Sequence, residues 1–165
     1  DIADPARLAE LVKPGSRLTV PQGARVELVY DDVLVFGIMD DSEVTIPAEE
    51  PGSGETLVAT VVVGELLTKT GPGFPGTRLD LVSPEGLAEV VGTTLAVNSG
   101  VGYTCVCVLE GTASVGRDAA HRDKVPGGMR KVMFSDGREP MFVPIESNHQ
   151  AHLVAFEARN EGFWE

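Results

Sequence analysis

Residues 59–63 read Ala-Thr-Val-Val-Val, and residues 105–109 read Cys-Val-Cys-Val-Leu. Both segments are almost continuously apolar and rich in β-branched residues, a composition that favours strands buried on both faces. We therefore expect these two segments to be central strands of a β-structure, each covered on both sides.

Further strand-like segments extend outward from these two, from Arg17 to about Phe134. They are enriched in β-branched and aromatic residues, and turn signals rich in Gly, Pro, Asp and Asn separate them at intervals of about ten residues. An apolar run that ends in glycine and then resumes recurs at Gly37, Gly64, Gly92 and Gly111. These features predict an all-β domain built from layered antiparallel strands.

Helical patterns occur only near the two ends of the chain. Asp4 is a capping residue before Pro5, and an apolar stripe follows until Pro14-Gly15 ends the pattern. Residues 146–159 have a second helical pattern, with His149 and His152 on its apolar side. We therefore divide the chain into an N-terminal helix or lead-in at 1–15, a β domain at 16–140, and a C-terminal helix and tail at 141–165.

Charge and hydropathy limit the classes of partner. The 165 residues include 13 basic and 25 acidic side chains, for a net charge of −12, which disfavours binding to nucleic acid or to anionic lipid. No apolar run reaches the length of about 18 residues that a membrane span needs. We expect protein partners and no direct membrane insertion by this segment.

The chain contains no complete catalytic motif. Residues 71–76, Gly-Pro-Gly-Phe-Pro-Gly, match a dinucleotide-binding pattern by letter, but the two prolines remove backbone donors and a strand-like segment follows, so no helix N-terminus faces an anion. This loop is interpreted as an exposed turn, with Phe74 at its tip as a candidate partner contact. The sequence predicts a non-enzymatic protein.

Two groups of residues were considered as metal ligands. Cys105 and Cys107 are two apart and so share one face of a strand, but a haem attachment needs C-x-x-C-H, and a zinc or iron–sulfur site needs further cysteines, which the sequence does not contain. They are therefore interpreted as small core residues. Glu146, His149 and His152 follow a helical i, i+3, i+6 spacing and are weak candidates for a metal site, the alternative being histidines bonded to backbone at the helix interface. No cofactor is expected.

The C-terminal tail contains two adjacent aromatic residues, Phe163 and Trp164. Aromatic residues beside a glycine at a chain end are typical either of a tail that docks on its own sheet or of an anchor for a neighbouring protein. Both interpretations are kept, and the second makes these two residues candidate partner contacts.

Residues 82–97 and 108–115 together resemble the FecR family, whose signature is V-T-P, then V-x-G-T-x-F-x-V, then V-x-E-G-x-V-x-V. The resemblance covers roughly residues 18–137 and implies a layered, solenoid-like β domain outside the cytoplasm that is not catalytic. The motif positions, which we expect to be structural, are Gly64, Pro84, Gly92, Thr93, Leu95, Val97, Glu110 and Gly111.

Together these observations predict a FecR-like protein-interaction domain in the periplasm or another extracytoplasmic space. It would act either as an extrinsic accessory or structural subunit of a membrane-associated complex, or as the sensory part of a transmembrane regulator. One alternative is a small-molecule or glycan-binding β module, which would carry exposed aromatic side chains. A second alternative is a cupin-like metal enzyme, which would present histidines from successive strands.

Overall fold

The computed structural model describes residues 4–164, with the side chains of Phe163 and Trp164 excepted. The described chain forms an eleven-stranded sheet and two α-helices. The strands are β1 (Arg17–Val20), β2 (Val26–Tyr30), β3 (Leu34–Ile38), β4 (Ser42–Thr45), β5 (Leu57–Thr70), β6 (Leu79–Ser83), β7 (Gly86–Gly100), β8 (Tyr103–Gly116), β9 (Arg122–Pro126), β10 (Met129–Phe134) and β11 (Met141–Pro144). The helices are α1 (Pro5–Leu11) and α2 (Ser147–Arg159), followed by a 3₁₀ turn at Glu161–Trp164.

Three long strands, β5, β7 and β8, each contain a bend at a glycine with positive φ. The φ angles are 90° at Gly64, 55° at Gly92 and 81° at Gly111. The register between β7 and β8 shifts at the same place. Each long strand is thereby divided into two halves that belong to different layers.

The first layer is formed by the first halves of β5 and β7 and the second half of β8, with four short strands: residues 57–61, 87–91 and 112–116, and β1, β4, β6 and β9. The second layer is formed by the other halves, with four further strands: residues 66–70, 95–100 and 103–108, and β2, β3, β10 and β11. One apolar core includes Ala59 and Val90 from the first layer and Leu66 and Val106 from the second. The sheet therefore closes on itself as a sandwich with its main core between the two layers.

The close approach of β7 and β8 at the bend explains why glycine occupies position 111. A Cβ atom at Gly111 would lie 2.2 Å from the carbonyl oxygen of Gly92, well inside any allowed contact, and the positive φ of 81° is unfavourable for other residues.

The remaining motif positions also have structural roles. The Thr93 hydroxyl donates a hydrogen bond to the Glu110 carbonyl oxygen at 2.6 Å, which ties the two bent strands together. Leu95 and Val97 are buried in the core between the layers. Pro84 lies in the turn between β6 and β7. The positions that resemble the FecR signature are thus bend, turn and core residues.

The all-β class is confirmed, and so are the two predicted helices. The Asp4 carboxylate caps α1 by accepting a hydrogen bond from the backbone N–H of Ala6 at 3.0 Å.

One strand pair differs from the expected antiparallel arrangement, because β5 and β6 run parallel. The reason is the bend in β5. The second half of β5 ends in the second layer, and the loop at 71–78 brings the chain back to the first layer, beside the start of β5, so that β6 runs in the same direction as the first half of β5. Residues 141–144, grouped with the C-terminal helix by sequence, form β11, which pairs with β10.

The two apolar segments differ in how they are covered. Residues 105–108 are buried on both faces, as expected, because the core lies on one side and α2 packs on the other. For residues 59–63 the expectation is wrong: Ala59 and Val61 face the core, whereas Val62 and Val63 are exposed. On the outer side of this half-strand, Thr60 is half-buried and Val62 is 36% exposed.

Phe74 is buried, so the prediction of an exposed partner contact at this residue is wrong. Its side chain is only 5% exposed and belongs to the main core. Its backbone N–H donates to the Gly71 carbonyl oxygen at 3.1 Å, and this tight turn folds the ring back into the end of the sandwich. The sequence shows the turn, but a loop position alone does not reveal which way the ring points.

Candidate functional site

The outer surface of the first layer is an apolar face without a covering helix. Within β5, β6 and β7, the residues that alternate with the core positions point outward. Apart from two acidic residues these outward side chains are aliphatic or threonine: Val58, Thr60, Val62, Val82, Leu87 and Val91. We call this set the open face.

Strand pairing joins three members of the open face into one row. Thr60 pairs with Val82 across β5 and β6, and Val82 pairs with Leu87 across β6 and β7. In a sheet with one side in solvent, the side chains along each strand usually alternate between apolar residues that face the core and polar residues that face the solvent. A row of mainly aliphatic side chains on the outward side departs from this pattern. Contiguous apolar surface of this kind is typical of interaction sites.

A charged cluster borders this apolar row. Asp80 and Glu89 are cross-strand partners, and the Arg122 guanidinium forms an ion pair with Glu89. Partial burial, together with the neighbouring Glu89 carboxylate, raises the pKa of Asp80 above its usual range. The cluster offers both a cationic and an anionic group beside the apolar row, which suits recognition by a partner with complementary charges.

A cleft of ≈ 520 Å³ lies beside the open face, between the loop at 71–78 and the bend in β7. Pro72, Pro75 and Val91 contribute apolar walls, and Arg78 and Glu89 contribute charge. Its one aromatic lining residue is Phe74, whose ring is buried in the core. The cleft therefore lacks the exposed aromatic platform that a sugar-stacking site uses.

The outer surface of the second layer is covered by α2. Leu153 and Phe156 are fully buried in a second apolar cluster that includes Val35, Leu67 and Ala96 of the sheet. Polar contacts reinforce the packing: Glu157 forms an ion pair with the buried Lys69 and accepts a hydrogen bond from the Thr94 hydroxyl at 2.7 Å.

The three weak metal candidates have separate neighbours. Glu146 accepts a hydrogen bond from Arg130 Nη2 at 2.8 Å, and His152 is exposed, with Nδ1 3.5 Å from a carboxylate oxygen of Glu65. His149 instead points toward the sheet. The predicted set is therefore not brought together, because Leu153 and Phe156 take the centre of the docking face and leave His152 at its margin.

His149 meets the two cysteines. Its Nδ1 atom lies 3.9 Å from the sulfur of Cys107, and the sulfurs of Cys105 and Cys107 are 3.5 Å apart. Among residues 4–162, these three form a group whose ligand atoms all lie within 4.8 Å of one another. The sequence indicated both halves of this cluster, the cysteine pair on one strand face and the histidine on the apolar side of the helix, but not that they meet.

The electrostatics of the cysteine pair are asymmetric. The hydrogen bond between the two thiols lowers the pKa of Cys105, and the nearby Arg130 guanidinium acts in the same direction. The same hydrogen bond, together with burial, raises the pKa of Cys107.

The other sequence candidates have simple outcomes. The side chains of Phe163 and Trp164 lie outside the described residues, so the proposed anchoring role stays a prediction. The three histidines all lie outside the strands, with His121 in the loop before β9 and the other two on α2. They do not reproduce the cupin arrangement of histidines on successive strands. No helix in the described part of the chain is long and apolar enough to cross a membrane.

Comparisons with known proteins identify the fold. No family model matches the sequence, and no curated protein does. Two crystal structures of a putative anti-sigma factor from Parabacteroides distasonis ATCC 8503 are similar to this chain, each with a TM-score of 0.70, at 13% and 12% sequence identity. The match covers 84% of this chain and 64% of that protein. The chain thus spans less than two thirds of the length of these neighbours and shares their β fold.

Proposed function

We propose that this chain is a non-enzymatic, FecR-like protein-interaction domain that acts outside the cytoplasm. Two roles are consistent with this: the sensory part of a transmembrane regulator, and an extrinsic subunit of a membrane-associated complex. The fold likeness to a protein described as a putative anti-sigma factor supports the regulatory role, in which signals pass through contacts between proteins.

The observation that carries the proposal is the open face. Its β5 segment has the apolar composition of a strand buried on both sides, yet Val62 is 36% exposed and Val58 and Thr60 are only half-buried. Covering this row with another surface would remove apolar area from water, which is favourable. A partner protein with an apolar patch is the occupant that we assign to this face.

Charge defines that partner further. The chain carries a net charge of −12, and Asp80 and Glu89 lie beside the apolar row. A partner patch with an apolar centre and a basic rim would therefore be both steered to the face and held there. Electrostatic steering of this kind weakens with added salt.

The glycan-binding and cupin-like alternatives have less support. The cleft beside the open face lacks an exposed aromatic ring, and the histidines do not lie on successive strands. A second copy of this chain is a less suitable occupant for the open face, because two strongly acidic surfaces would repel one another.

Co-purification from the source cells at physiological salt tests the proposal. We expect the tagged wild-type protein to recover one stoichiometric partner. The double variant Val82→Lys/Leu87→Lys should recover at least about tenfold less of that partner, because the loss of a hot-spot residue at the centre of an interface typically costs about 2 kcal/mol or more of binding free energy. Both substituted positions are partly exposed, so the domain should still fold.

The control is Val29→Lys on β2, which adds one lysine where the double variant adds two, at a strand residue that is 63% exposed and lies on the other layer. It should recover the partner at the wild-type level. Equal recovery by the double variant, equal loss by the control, or a wild-type protein that recovers no partner would each contradict the proposal.

A further inference from the structure

We propose that Cys105, Cys107 and His149 form a binding site for a soft monovalent metal ion of the Cu(I) class, which links α2 to the second layer. Neither the fold likeness nor the open face bears on this site, so it stands independently of the proposed function.

The separations of the three ligand atoms suit a single ion. The two sulfurs are 3.5 Å apart, Cys107 Sγ lies 3.9 Å from His149 Nδ1, and the Cys105 sulfur lies within 4.8 Å of a ring nitrogen of His149. An ion about 2.3 Å from each sulfur and about 2.0 Å from the nitrogen holds its ligands about 3.5–4 Å apart at tetrahedral or trigonal angles. The side chains therefore need only small adjustments to coordinate an ion.

The fold fixes these ligands in place. Cys105 and Cys107 are both buried and lie on one face of β8, next to β10. A disulfide between them is disfavoured, because residues two apart in a strand have Cα atoms about 6.6–6.8 Å apart, at the upper end of the range that disulfides tolerate. The two sulfurs are therefore kept close together as thiols.

The choice of ion follows from ligand type and ligand number. Thiolates select soft ions such as Cu(I) and Zn(II). Arg130 contacts this site as a donor: its Nη1 atom lies 4.0 Å from Cys105 Sγ, while its Nη2 atom donates to Glu146 at 2.8 Å. The Nε atom of Arg130 is buried and has no hydrogen-bond partner, so the guanidinium retains an unused donor beside the sulfurs.

Zinc fits the same site less well. It prefers four ligands, whereas the group described here has three, and the Glu146 carboxylate is already ion-paired with Arg130. A site with three ligands therefore favours the monovalent ion.

Metal binding at this site would be coupled to helix docking, because two ligands belong to β8 and the third to α2. On binding, each thiol that is still protonated releases its proton, and the ion replaces it on sulfur. Occupancy then stabilises the docked position of α2 relative to any state in which the helix moves away.

Competition with a coloured Cu(I) chelator under anaerobic, reducing conditions tests the proposal on the purified protein. We expect one Cu(I) per chain, at least 100-fold weaker binding by Cys105→Ser or Cys107→Ser, and at least tenfold weaker binding by His149→Ala. His152→Ala, on the same helix and exposed, is the matched control and should bind like the wild type. Cu(I) should also raise the Tm of the wild-type protein more than that of His149→Ala.

Three outcomes would overturn the proposal: no uptake of Cu(I), equal affinity in the wild type and His149→Ala, or 1:1 uptake of Zn(II) that is tighter than that of Cu(I). Should either serine variant fail to fold, X-ray absorption of the Cu(I)-loaded wild type decides, since the site predicts two sulfur ligands and one nitrogen. A copper shell with a single sulfur or without nitrogen would contradict it.

Discussion

Replacing Gly111 with alanine is expected to lower the free energy of unfolding by about 3 kcal/mol or more. Two costs combine at this position: a positive φ of 81°, which is worth about 1–2 kcal/mol for an L-residue, and the contact of a new Cβ with the Gly92 carbonyl oxygen at 2.2 Å, which overpacks the bend. Urea denaturation of the purified protein measures the change.

Gly92→Ala is the matched control for this prediction. Gly92 also has a positive φ, 55°, but a Cβ there would meet nothing within 4 Å. Its cost should therefore be limited to the backbone term of about 1–2 kcal/mol. Equal losses for the two variants would show that the close approach of β7 and β8 at the bend is not the reason for glycine at 111.

Phe156→Ala is expected to have the second large effect, a loss of about 3–5 kcal/mol. The ring is fully buried between α2 and the second layer, so its removal leaves a cavity in the cluster that holds the helix. Val154→Ala on the same helix should cost far less, because that side chain is 51% exposed. Thermal or urea unfolding compares the two, and similar losses would contradict the docked position of α2.

A double-variant cycle sharpens this test. A Cβ at Gly37 would lie 2.9 Å from the Phe156 ring, so Gly37→Ala should destabilise the wild-type protein. In the Phe156→Ala background the ring is gone, and the same substitution should cost little. Additive effects would mean that Gly37 and Phe156 do not contact one another.

The sequence predicted the elements that depend on local patterns. Asp4 and Pro5 define the start of α1, and the amphipathic pattern of residues 146–159 corresponds to α2. Three of the four glycines in the recurring pattern have positive φ and divide the long strands. The fourth, Gly37, serves a different purpose, since it makes room for Phe156, and a recurring letter cannot distinguish the two roles.

The features that the sequence did not predict depend on long-range packing. The loop with Phe74 has the composition of an exposed turn, but the direction of one ring is decided by the space at the end of the sandwich. The meeting of His149 with the cysteines depends on where α2 docks, a position set by Leu153 and Phe156 rather than by local sequence. The parallel pairing of β5 and β6 likewise follows from the bend in β5.

The bent sheet also explains why the two surfaces of the domain differ. The second layer is covered by α2 and contains the cysteine–histidine cluster. The first layer has no such cover among residues 4–162, and its outward side chains form the open face.

Site-specific photocrosslinking in the source cells tests the role of the open face most directly. A photoreactive residue at position 87 should yield one defined adduct with another protein, and the same residue at position 29 should not. The adduct at 87 should disappear when Val82 is changed to lysine. An adduct with a second copy of this chain, identical adducts from both positions, or none from position 87 would contradict the assignment of this face to a partner protein.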